Sequence, residues 1–425
     1  MIGLAKIAHS PLRLLSFRRF WLGLTISRLG DQFTIIALLW FVLQLTGSGL
    51  ALGTVLLCFG LPGTFTSSVL GNLLDRYQPR LVSGVDNACR AGIIGAIPAL
   101  HWLGVLHLWM VYILAILAGS LRPATTVGEP VFLPHLVPGN ELENANALMS
   151  VSENFPMLVG PAIAGVLVSV VGGPPVLVID AMSFIVVALV AWFLPNIPHQ
   201  TSRPEHTHAT CKPWRGFGEL VNLREVRIIT LLTLTFFLAY YPLEPALPLY
   251  SRDFLKAGAA GYGLLWSGFG VGALLGLLTI PWLSKFSRPG ITFSAIAVLW
   301  GVFLLPLMFI HSLVAAMIFL GLAGCAWGPY TTIETTLLQR LVPSRQRGQV
   351  FGARAALTTA TGPIGVFVGG LLADHLSASV TIGISGAACI VTGVAGLLSP
   401  TLRAVRREAG SQPFTNRAAR SWSED

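Results

Sequence analysis

The sequence predicts an all-α membrane protein with twelve transmembrane helices in two six-helix bundles related by a pseudo-two-fold repeat. Three observations carry this prediction: the composition, a series of long apolar runs, and the recurrence of short motifs between the two halves. Of the 425 residues, 54% are hydrophobic and only 11% are charged. So little charge cannot provide a polar surface for a chain of this length, and we expect lipid to surround it.

Twelve apolar runs are long enough to cross a bilayer, whose hydrocarbon core of roughly 30 Å requires about 20 residues of helix. Backbone groups in lipid must satisfy their own hydrogen bonds, which favours helices over open strands. The runs cover residues 20–45, 50–74, 81–102, 107–128, 148–171, 175–195, 227–250, 261–283, 291–310, 313–333, 353–374 and 379–399.

A change in composition divides these runs into two sets of six. Between the sixth and seventh runs, proline, histidine, serine and charged residues interrupt the apolar pattern. This break is typical of a linker between two bundles. We predict an N-terminal bundle at residues 1–195, a linker at 196–226, a C-terminal bundle at 227–400 and a tail at 401–425.

Short motifs recur in the second half. EPVFLPHLVP, which begins at Glu129, aligns with ETTLLQRLVP, which begins at Glu334. GPAIAG, which begins at Gly160, corresponds with a small shift to GPIGVFVGG, which begins at Gly362. Parallel repeats of this kind place a substrate site between the halves near mid-bilayer.

Positive charge indicates the orientation of the chain. Of the 27 Lys and Arg residues, 20 fall in the tails and in the breaks after even-numbered runs. By the positive-inside rule, both termini of this multi-pass protein face the cytoplasm from the cell (inner) membrane. The net charge of +9 then reflects topology and contact with the lipid bilayer, and no nucleic-acid partner is expected.

The segment between the second and third runs, GNLLDRYQPR at residues 71–80, resembles the signature of the major facilitator superfamily. Other stretches resemble its drug:proton antiporter branch, which includes macrolide efflux proteins. These are SRLGDQFTIIALLWFVLQLTGS in the first run, FLPHLVPGNELENANALMS after the fourth and VIDAMSF in the sixth. The signature departs from the family at Gln78 and Pro79, where the family usually has Gly followed by Arg or Lys.

The resemblance implies a latch between the bundles on the cytoplasmic side. Gly71 permits close helix approach, and Asp75 can accept hydrogen bonds from a helix N-terminus. We therefore predict that Asp75 meets the start of the eleventh helix near Arg354, and that Arg76 meets Glu129. A plain topogenic loop is the alternative. The predicted latch residues are Gly71, Asp75, Arg76, Arg80, Glu129 and Arg354.

Charged residues inside the runs are candidates for the transport mechanism, because each costs at least about 3 kcal/mol in hydrocarbon. Arg28 and Asp31 lie three apart on one helix face, and Asp86 and Arg90 lie four apart, so each pair can neutralise itself. This structural interpretation stays open for both pairs. The resemblance implies that the first run lines the central pathway, which favours Asp31 as a functional residue.

Three further charges have no partner within their own helix: Arg122, Glu244 and Glu334, the last at the cytoplasmic end of the tenth span. In the family that this chain resembles, the first, fourth, seventh and tenth helices surround the cavity, so these residues and Asp31 are predicted to converge. Glu244 lies in YYPLEPALPLY, where three prolines must disrupt the helix. We predict Asp31 and Glu244 as proton carriers or substrate ligands and Arg122 as the charge that tunes them. Structural ion pairs are the alternative for each.

Three other acids, Glu153, Asp180 and Asp374, lie nearer the ends of their runs, where solvation is the expected reason for their charge. The motif that contains Gly160, Pro161 and Gly165 partly resembles the family's antiporter motif, and Gly362 and Pro363 are its counterparts. Helix packing alone also explains these small residues. The aromatic residues expected to line the pathway are Phe33, Trp40, Phe237, Tyr241, Trp327 and Tyr330.

The sequence lacks the motifs of ATP-driven pumps and membrane hydrolases, GxxxxGK[ST], HExxH and GxSxG. It therefore predicts no enzyme, no cofactor and no metal site. The leading interpretation is a monomeric secondary transporter that exports lipophilic or amphiphilic organic compounds by proton antiport with alternating access. Its partners are a small-molecule substrate and protons. The alternatives are a facilitator or importer of a nutrient or lipid, and a transport-inactive membrane sensor.

Overall fold

The computed structural model describes residues 11–122, 133–193, 215–283, 285–286, 288–343 and 346–405. Within these ranges, the side chains at positions 68, 69, 71, 72, 74–76, 79, 140, 215 and 216 are not described. Ten helices in the described part are long and apolar enough to span a membrane. Two further helices complete the twelve spans that the sequence predicts.

Six spans come from the first half of the chain. The turns between them follow local sequence: α1 ends at Thr46, and the next residue, Gly47, has a φ of 65°, a conformation that favours glycine. Ser48 then caps α2 by accepting a hydrogen bond from the Ala51 amide at 3.2 Å. The spans are α1 (Leu15–Thr46), α2 (Gly49–Arg76), α3 (Pro79–Trp102), α4 (Leu108–Leu121), α5 (Leu142–Val171) and α6 (Gly173–Trp192).

The second half contributes the other six spans, and α7 is the most irregular of them. Its first segment, Arg224–Tyr240, stops before Pro242, which has no amide hydrogen and whose ring clashes with the preceding turn. The helix restarts as Leu243–Leu249 and ends in the π-helical turn Tyr250–Phe254, so the disruption predicted from the prolines is confirmed. The spans are α7 (Arg224–Phe254), α8 (Gly258–Leu277), α9 (Pro289–Met308), α10 (Leu313–Leu341), α11 (Arg347–Leu376) and α12 (Ala378–Leu398).

Successive spans run in opposite directions, which gives the molecule two distinct faces. The start of α1 and the end of α12 lie at one of them, here called the terminal face. The turns between α1 and α2, and between α11 and α12, lie at the opposite one, here called the far face. Within the linker predicted at residues 196–226, a short helix, Arg215–Asn222, packs against α11.

The two bundles meet along two helix pairs, α2 with α11 and α5 with α8. Glycines allow the backbones to approach closely near the far face. A Cβ atom on Gly53 of α2 would lie 3.2 Å from the Cα of Gly370 in α11. A Cβ atom on Gly263 of α8 would lie 2.9 Å from the Cα of Gly165 in α5. The bundles are therefore in tight contact at the far face.

Candidate substrate cavity

A cavity of about 570 Å³ lies between the two bundles. Its size falls within the range of pockets that hold drug-sized organic molecules. Its wall takes residues from α1, α2, α5 and the end of α4 in the first half, and from α7, α8 and α11 in the second. The lining residues are Gln32, Ile35, Ile36, Leu39, Leu56, Phe59, Gly60, Arg122, Met157, Pro161, Phe237, Tyr240, Tyr241, Glu244, Tyr262, Trp266, Phe269, Thr358, Thr359, Gly362, Pro363 and Val366.

The part of the wall formed by α7 and α8 is aromatic. The ring centroids of Tyr240 and Tyr241 lie 5.3 Å apart, and those of Trp266 and Phe269 lie 5.5 Å apart in an edge-on arrangement. Phe237 joins the α7 side of this wall at 5.9 Å from Tyr241. Such ring faces bind flat organic groups and organic cations.

Two charged side chains reach this cavity from opposite bundles. Arg122, just after α4, lines it from the first half, and Glu244 of α7 lines it from the second. The two charges interact electrostatically. The guanidinium carbon of Arg122 lies 5.0 Å from the centre of the Phe59 ring, within cation–π range. The cavity therefore presents an acid and a base beside aromatic rings.

The break in α7 is what places Glu244 at the cavity. Tyr241 and Pro242 form a turn, and the Glu244 amide donates a hydrogen bond to the Tyr241 carbonyl at 3.1 Å. Its neighbours Leu243 and Pro245 are buried, whereas Glu244 is only half-buried. Irregular backbone at membrane depth is tolerated where it lines a cavity.

Asp31 lies beside the cavity-lining Gln32, but its ion pair extends into the first bundle. Arg90 of α3 donates to the Asp31 carboxylate at 2.7 Å. The Asp31 side chain is 31% exposed, whereas the Arg90 side chain is 4% exposed. The guanidinium carbon of Arg90 also lies 4.1 Å from the centre of the Phe184 ring of α6. Asp31 thus connects α1 to α3.

The expected ion pair between Asp86 and Arg90 is not formed. Asp86 is only 5% exposed, and neither of its carboxylate oxygens has a hydrogen-bond partner among the described residues. The two residues share a face of α3, as the spacing predicts, but Asp31 of α1 offers Arg90 another carboxylate. The spacing of residues along one helix cannot reveal a partner that lies on another helix.

Asp180 is fully buried, and the expectation that solvent explains its charge is wrong. It accepts hydrogen bonds from the Thr34 hydroxyl of α1 and, at 2.9 Å, from the Ser183 hydroxyl. A Cβ atom on Gly30 would collide with its carboxylate, so the glycine provides the space that Asp180 occupies. Asp180 lies about 10 Å along α6 from the helix start, which is too deep for contact with water at the far face.

Arg28 and Gly160 hold α1 against α5. The Arg28 guanidinium donates to the Met149 carbonyl at 3.3 Å and to the Ser152 hydroxyl. Further along α5, a Cβ atom on Gly160 would lie 2.7 Å from the Cβ of Gln32. These contacts lie within the first bundle.

Glu334 does not line the cavity. It is 1% exposed and accepts hydrogen bonds from the Thr233 hydroxyl of α7 and the Arg354 guanidinium of α11. Because Glu334 itself belongs to α10, this buried network joins three helices of the second bundle. Of the four charges predicted to converge, only Arg122 and Glu244 line the same cavity.

The described latch residues have partners within their own halves. Arg354 binds Glu334, and Arg80 donates to the Gln78 side chain at 3.1 Å at the start of α3. Gly71 lies within α2. The side chains of Asp75 and Arg76 and the whole of Glu129 lie outside the described residues, so the latch stays a prediction.

Apart from Gly160, which packs on α1, the residues of the antiporter-like motif and its repeat lie at the cavity or at the contact between the bundles. Pro161, Gly362 and Pro363 line the cavity. A Cβ atom on Gly362 would lie 3.1 Å from the Tyr241 ring. Gly165 is the α5 glycine at the contact with α8.

Sequence reasoning found only part of the aromatic wall. Phe237 and Tyr241 line the cavity, whereas the other four predicted aromatics, Phe33, Trp40, Trp327 and Tyr330, are not among the described lining residues. The prediction missed Tyr262, Trp266 and Phe269 of α8. Their spacing of four and three places them on one helix face, which is the signal that could have found them.

The acidic residues near helix ends form no metal site. No group of three His, Cys, Asp or Glu side chains in the described part of the chain is arranged to hold a metal ion. Glu153 is exposed, as expected. Asp374 is also exposed, but it accepts hydrogen bonds from the first residues of α2, so solvation alone does not account for it.

Comparison with known sequences gives matches over nearly the whole chain. A family model described as transmembrane secretion effector matches residues 6–418. The multidrug efflux pump Tap of Mycobacterium tuberculosis is 28% identical over 384 residues, which are 88% of this chain and 91% of Tap. Macrolide efflux protein A of Streptococcus pyogenes is 22% identical over 402 residues, covering 92% of this chain and 97% of that protein.

Solved structures share the fold at lower identity. A mutant of the nucleoside transporter NupG superposes with a TM-score of 0.73 at 16% identity, covering 89% of this chain and 99% of NupG. The xylose transporter XylE from E. coli, in an inward open conformation, gives a TM-score of 0.65 at 13% identity, covering 92% and 97%. These likenesses show that the chain shares the fold of those two proteins.

Proposed function

Because this chain belongs to the transmembrane secretion effector family of the major facilitator superfamily, we propose that it exports lipophilic or amphiphilic organic compounds by proton antiport. The cavity between the bundles is the observation that carries this proposal. Its volume of about 570 Å³ and its aromatic wall suit organic substrates of drug size. The relatives Tap and macrolide efflux protein A, named as efflux proteins, support the outward direction.

Glu244 and Asp31 are the proposed proton carriers. Glu244 lines the cavity from α7 opposite Arg122, so a proton on Glu244 changes the net charge that the substrate meets. With Glu244 ionised, the acid and the aromatic wall together favour an organic cation. Protonation weakens that attraction and releases the substrate. Asp31 contributes through the ion pair that it forms beside the cavity.

The proposed cycle alternates access between the two faces. In the state described here, α2 packs closely on α11 and α5 on α8 near the far face, which supports a cavity shielded from that face. With both termini in the cytoplasm of a cell-membrane protein, as the positive charges indicate, the far face is external. A monomer suffices for this mechanism because the cavity lies within one chain.

Uptake of ethidium, a fluorescent organic cation, into inside-out membrane vesicles tests the proposal. We expect uptake by the unmodified protein that depends on an imposed proton gradient. Glu244→Gln and Asp31→Asn should each lower the gradient-dependent rate about a hundredfold or more, in the range seen when a proton-transfer group is lost. Asp253→Asn is the control, since Asp253 pairs on the surface with its neighbour Arg252.

Three outcomes would contradict parts of the proposal. Equal gradient-dependent uptake by the unmodified protein and both acid variants would remove Glu244 and Asp31 from proton coupling. Ethidium uptake that does not depend on the proton gradient would favour the alternative of a facilitator or importer. Failure of the folded protein to move any organic cation would overturn export of this substrate class.

A further inference from the structure

We propose that Asp86 is a proton-binding site inside the first bundle, and that Arg90 moves between Asp31 and Asp86 as this proton binds and leaves. This inference rests on the proposed proton antiport and adds a carrier that the cavity itself does not contain. It is carried by the geometry of a buried charge cluster in which α1, α3 and α6 meet.

The cluster contains more acids than bases. Asp31 from α1, Asp86 from α3 and Asp180 from α6 surround Arg90, which is itself 3% exposed. Arg28, one turn from Asp31, binds the Met149 carbonyl and Ser152 of α5. Because uncompensated charge in a low-dielectric interior is strongly disfavoured, a proton on one of the three carboxyl groups is favoured.

Hydrogen bonding identifies which acid holds the proton. Asp31 receives the Arg90 guanidinium at 2.7 Å, and Asp180 receives hydroxyl hydrogens from Thr34 and Ser183. Such donors stabilise an ionised carboxylate. Asp86 has neither a cation nor a hydrogen-bond donor on its oxygens among the described residues. It is therefore the carboxyl group for which the neutral form costs least.

The helices around Asp86 supply few other titratable groups. On α6 the charged residue is Asp180, and the described ionisable side chains of α4 and its end are Tyr112 and Arg122. Among the described side chains of α2, Cys58 is the ionisable one. Asp31 faces Asp86 from α1. The balance around Asp86 therefore depends mainly on Arg90 and Asp31.

Arg90 can reach either acid. It lies four residues after Asp86 on the same face of α3, and Asp31 lies across from it on α1. When the proton leaves Asp86, the new carboxylate attracts the guanidinium, and Asp31 loses its cation. When a proton returns to the Asp86 carboxylate, Arg90 is released to Asp31, which is the arrangement described here.

This exchange connects the buried proton to the substrate cavity. Asp31 is partly exposed next to the cavity-lining Gln32. It also interacts electrostatically with Arg122, which in turn interacts with Glu244. Asp31 without its cation is an uncompensated negative charge near the cavity, so loss of the Asp86 proton favours capture of an organic cation.

Infrared difference spectroscopy of the purified protein in lipid, recorded between mildly alkaline and neutral pH, tests the site without requiring transport. We expect the carbonyl band of a protonated carboxylic acid in a Glu244→Gln background, which removes the carboxyl group of the cavity, and its loss when Asp86→Asn is added. The other variants are compared in the same background. The band should survive in Asp253→Asn. In Asp31→Asn it should lose most of its intensity at neutral pH, because Arg90 is then free to bind Asp86.

Asp86→Glu keeps the carboxyl group and should shift the frequency of the band, which keeps the test decisive if Asp86→Asn does not fold. A band that persists in Asp86→Asn, or that is unshifted in Asp86→Glu, would overturn the site. A band unaffected by Asp31→Asn would overturn the movement of Arg90. If the protein transports ethidium but shows no such band, the Asp86 site is contradicted and the proposed export is not. If the band is present but no transport is observed, the proposed export is contradicted and the site is not.

Discussion

The Asp374 carboxylate at the end of α11 accepts a hydrogen bond of 2.6 Å from the Ser48 hydroxyl at the start of α2. It also accepts from the amides of Gly49 and, at 3.0 Å, Leu50. The first amides of a helix have no intrahelical partner and carry partial positive charge, so a carboxylate is stabilising there. Because α2 and α11 belong to different bundles, this cap joins the bundles at the far face.

Replacing Asp374 by Asn should favour states in which the far face is open. Helix caps of this kind contribute about 1 kcal/mol, which corresponds to a shift of about fivefold in the equilibrium. Spin labels placed at the exposed far-face residues Val105 and Val314 report the separation of the bundles. We expect a larger population at the longer distance. Ser312→Ala, which removes a far-face helix cap within a single bundle, is the matched control, and an identical distance distribution in both variants would contradict the role of Asp374.

A methyl group on Gly263 should also keep the far face from closing. Its Cβ would lie 2.9 Å from the Cα of Gly165 on the opposite bundle, and overpacking of this kind costs about 1–3 kcal/mol. In a background without native cysteines, Thr359→Cys places a thiol in the cavity. We expect Gly263→Ala to raise its rate of labelling by a membrane-impermeant reagent from the far side about tenfold.

Gly92→Ala provides the matched control for that experiment. Gly92 is also a glycine within a membrane-spanning helix, but a Cβ atom there meets no atom within 4 Å. Its labelling rate should equal that of the parent protein. If Gly92→Ala and Gly263→Ala labelled equally fast, the tight contact between α5 and α8 would not control access.

The spans could be predicted from sequence because their cause is local. Each run of about 20 apolar residues has one low-energy structure in lipid, and the prolines around Glu244 disrupt α7 wherever the helix packs. The position of Asp180 shows the limit of this reasoning. Its distance from the end of an apolar run indicated solvent, but its surroundings are set by Thr34 and Gly30 on another helix.

The charged partners could not be predicted for the same reason. Helical spacing predicts which residues share a face, and it correctly placed Asp86 and Arg90 on one face of α3. It does not state which helix that face meets, and α1 brought Asp31 to Arg90 instead. Glu244 was identified from sequence because proline disruption is visible within its own run.

The aromatic wall predicts a specific loss of affinity. Trp266 of α8 lines the cavity and packs edge-on against Phe269. Removing one aromatic face from a cation-binding cavity costs about 1 kcal/mol, so Trp266→Ala should raise the Kd for ethidium about fivefold. Equilibrium dialysis of the purified protein measures this change.

Trp282 gives the control for the aromatic wall, because it is 59% exposed and lies outside the cavity lining. Trp282→Ala should leave the ethidium Kd unchanged while removing the same amount of indole from the protein. If Trp266→Ala and Trp282→Ala weakened ethidium binding equally, ethidium would be partitioning onto the protein surface and would not be bound in the cavity.

The ion pair of Glu334 with Arg354 should stabilise the second bundle without taking part in proton coupling. Removing one partner of a buried ion pair typically costs about 3–5 kcal/mol, because the other charge stays buried. Glu334→Gln should therefore lower the unfolding temperature measured by the fluorescence of buried tryptophans. Replacing both partners, as Glu334→Leu with Arg354→Met, should recover most of that loss, since neither buried charge remains.

Transport by the double variant separates the structural role from a functional one. Glu334 is 1% exposed and does not line the cavity, so a substrate in the cavity makes no contact with it. The proton gradient should therefore drive ethidium uptake in the stable double variant at a rate within about twofold of the unmodified protein, as expected for a residue outside the reacting site. Loss of gradient dependence in a variant that unfolds at the normal temperature would make Glu334 a proton carrier, as its position at the end of the tenth span first indicated.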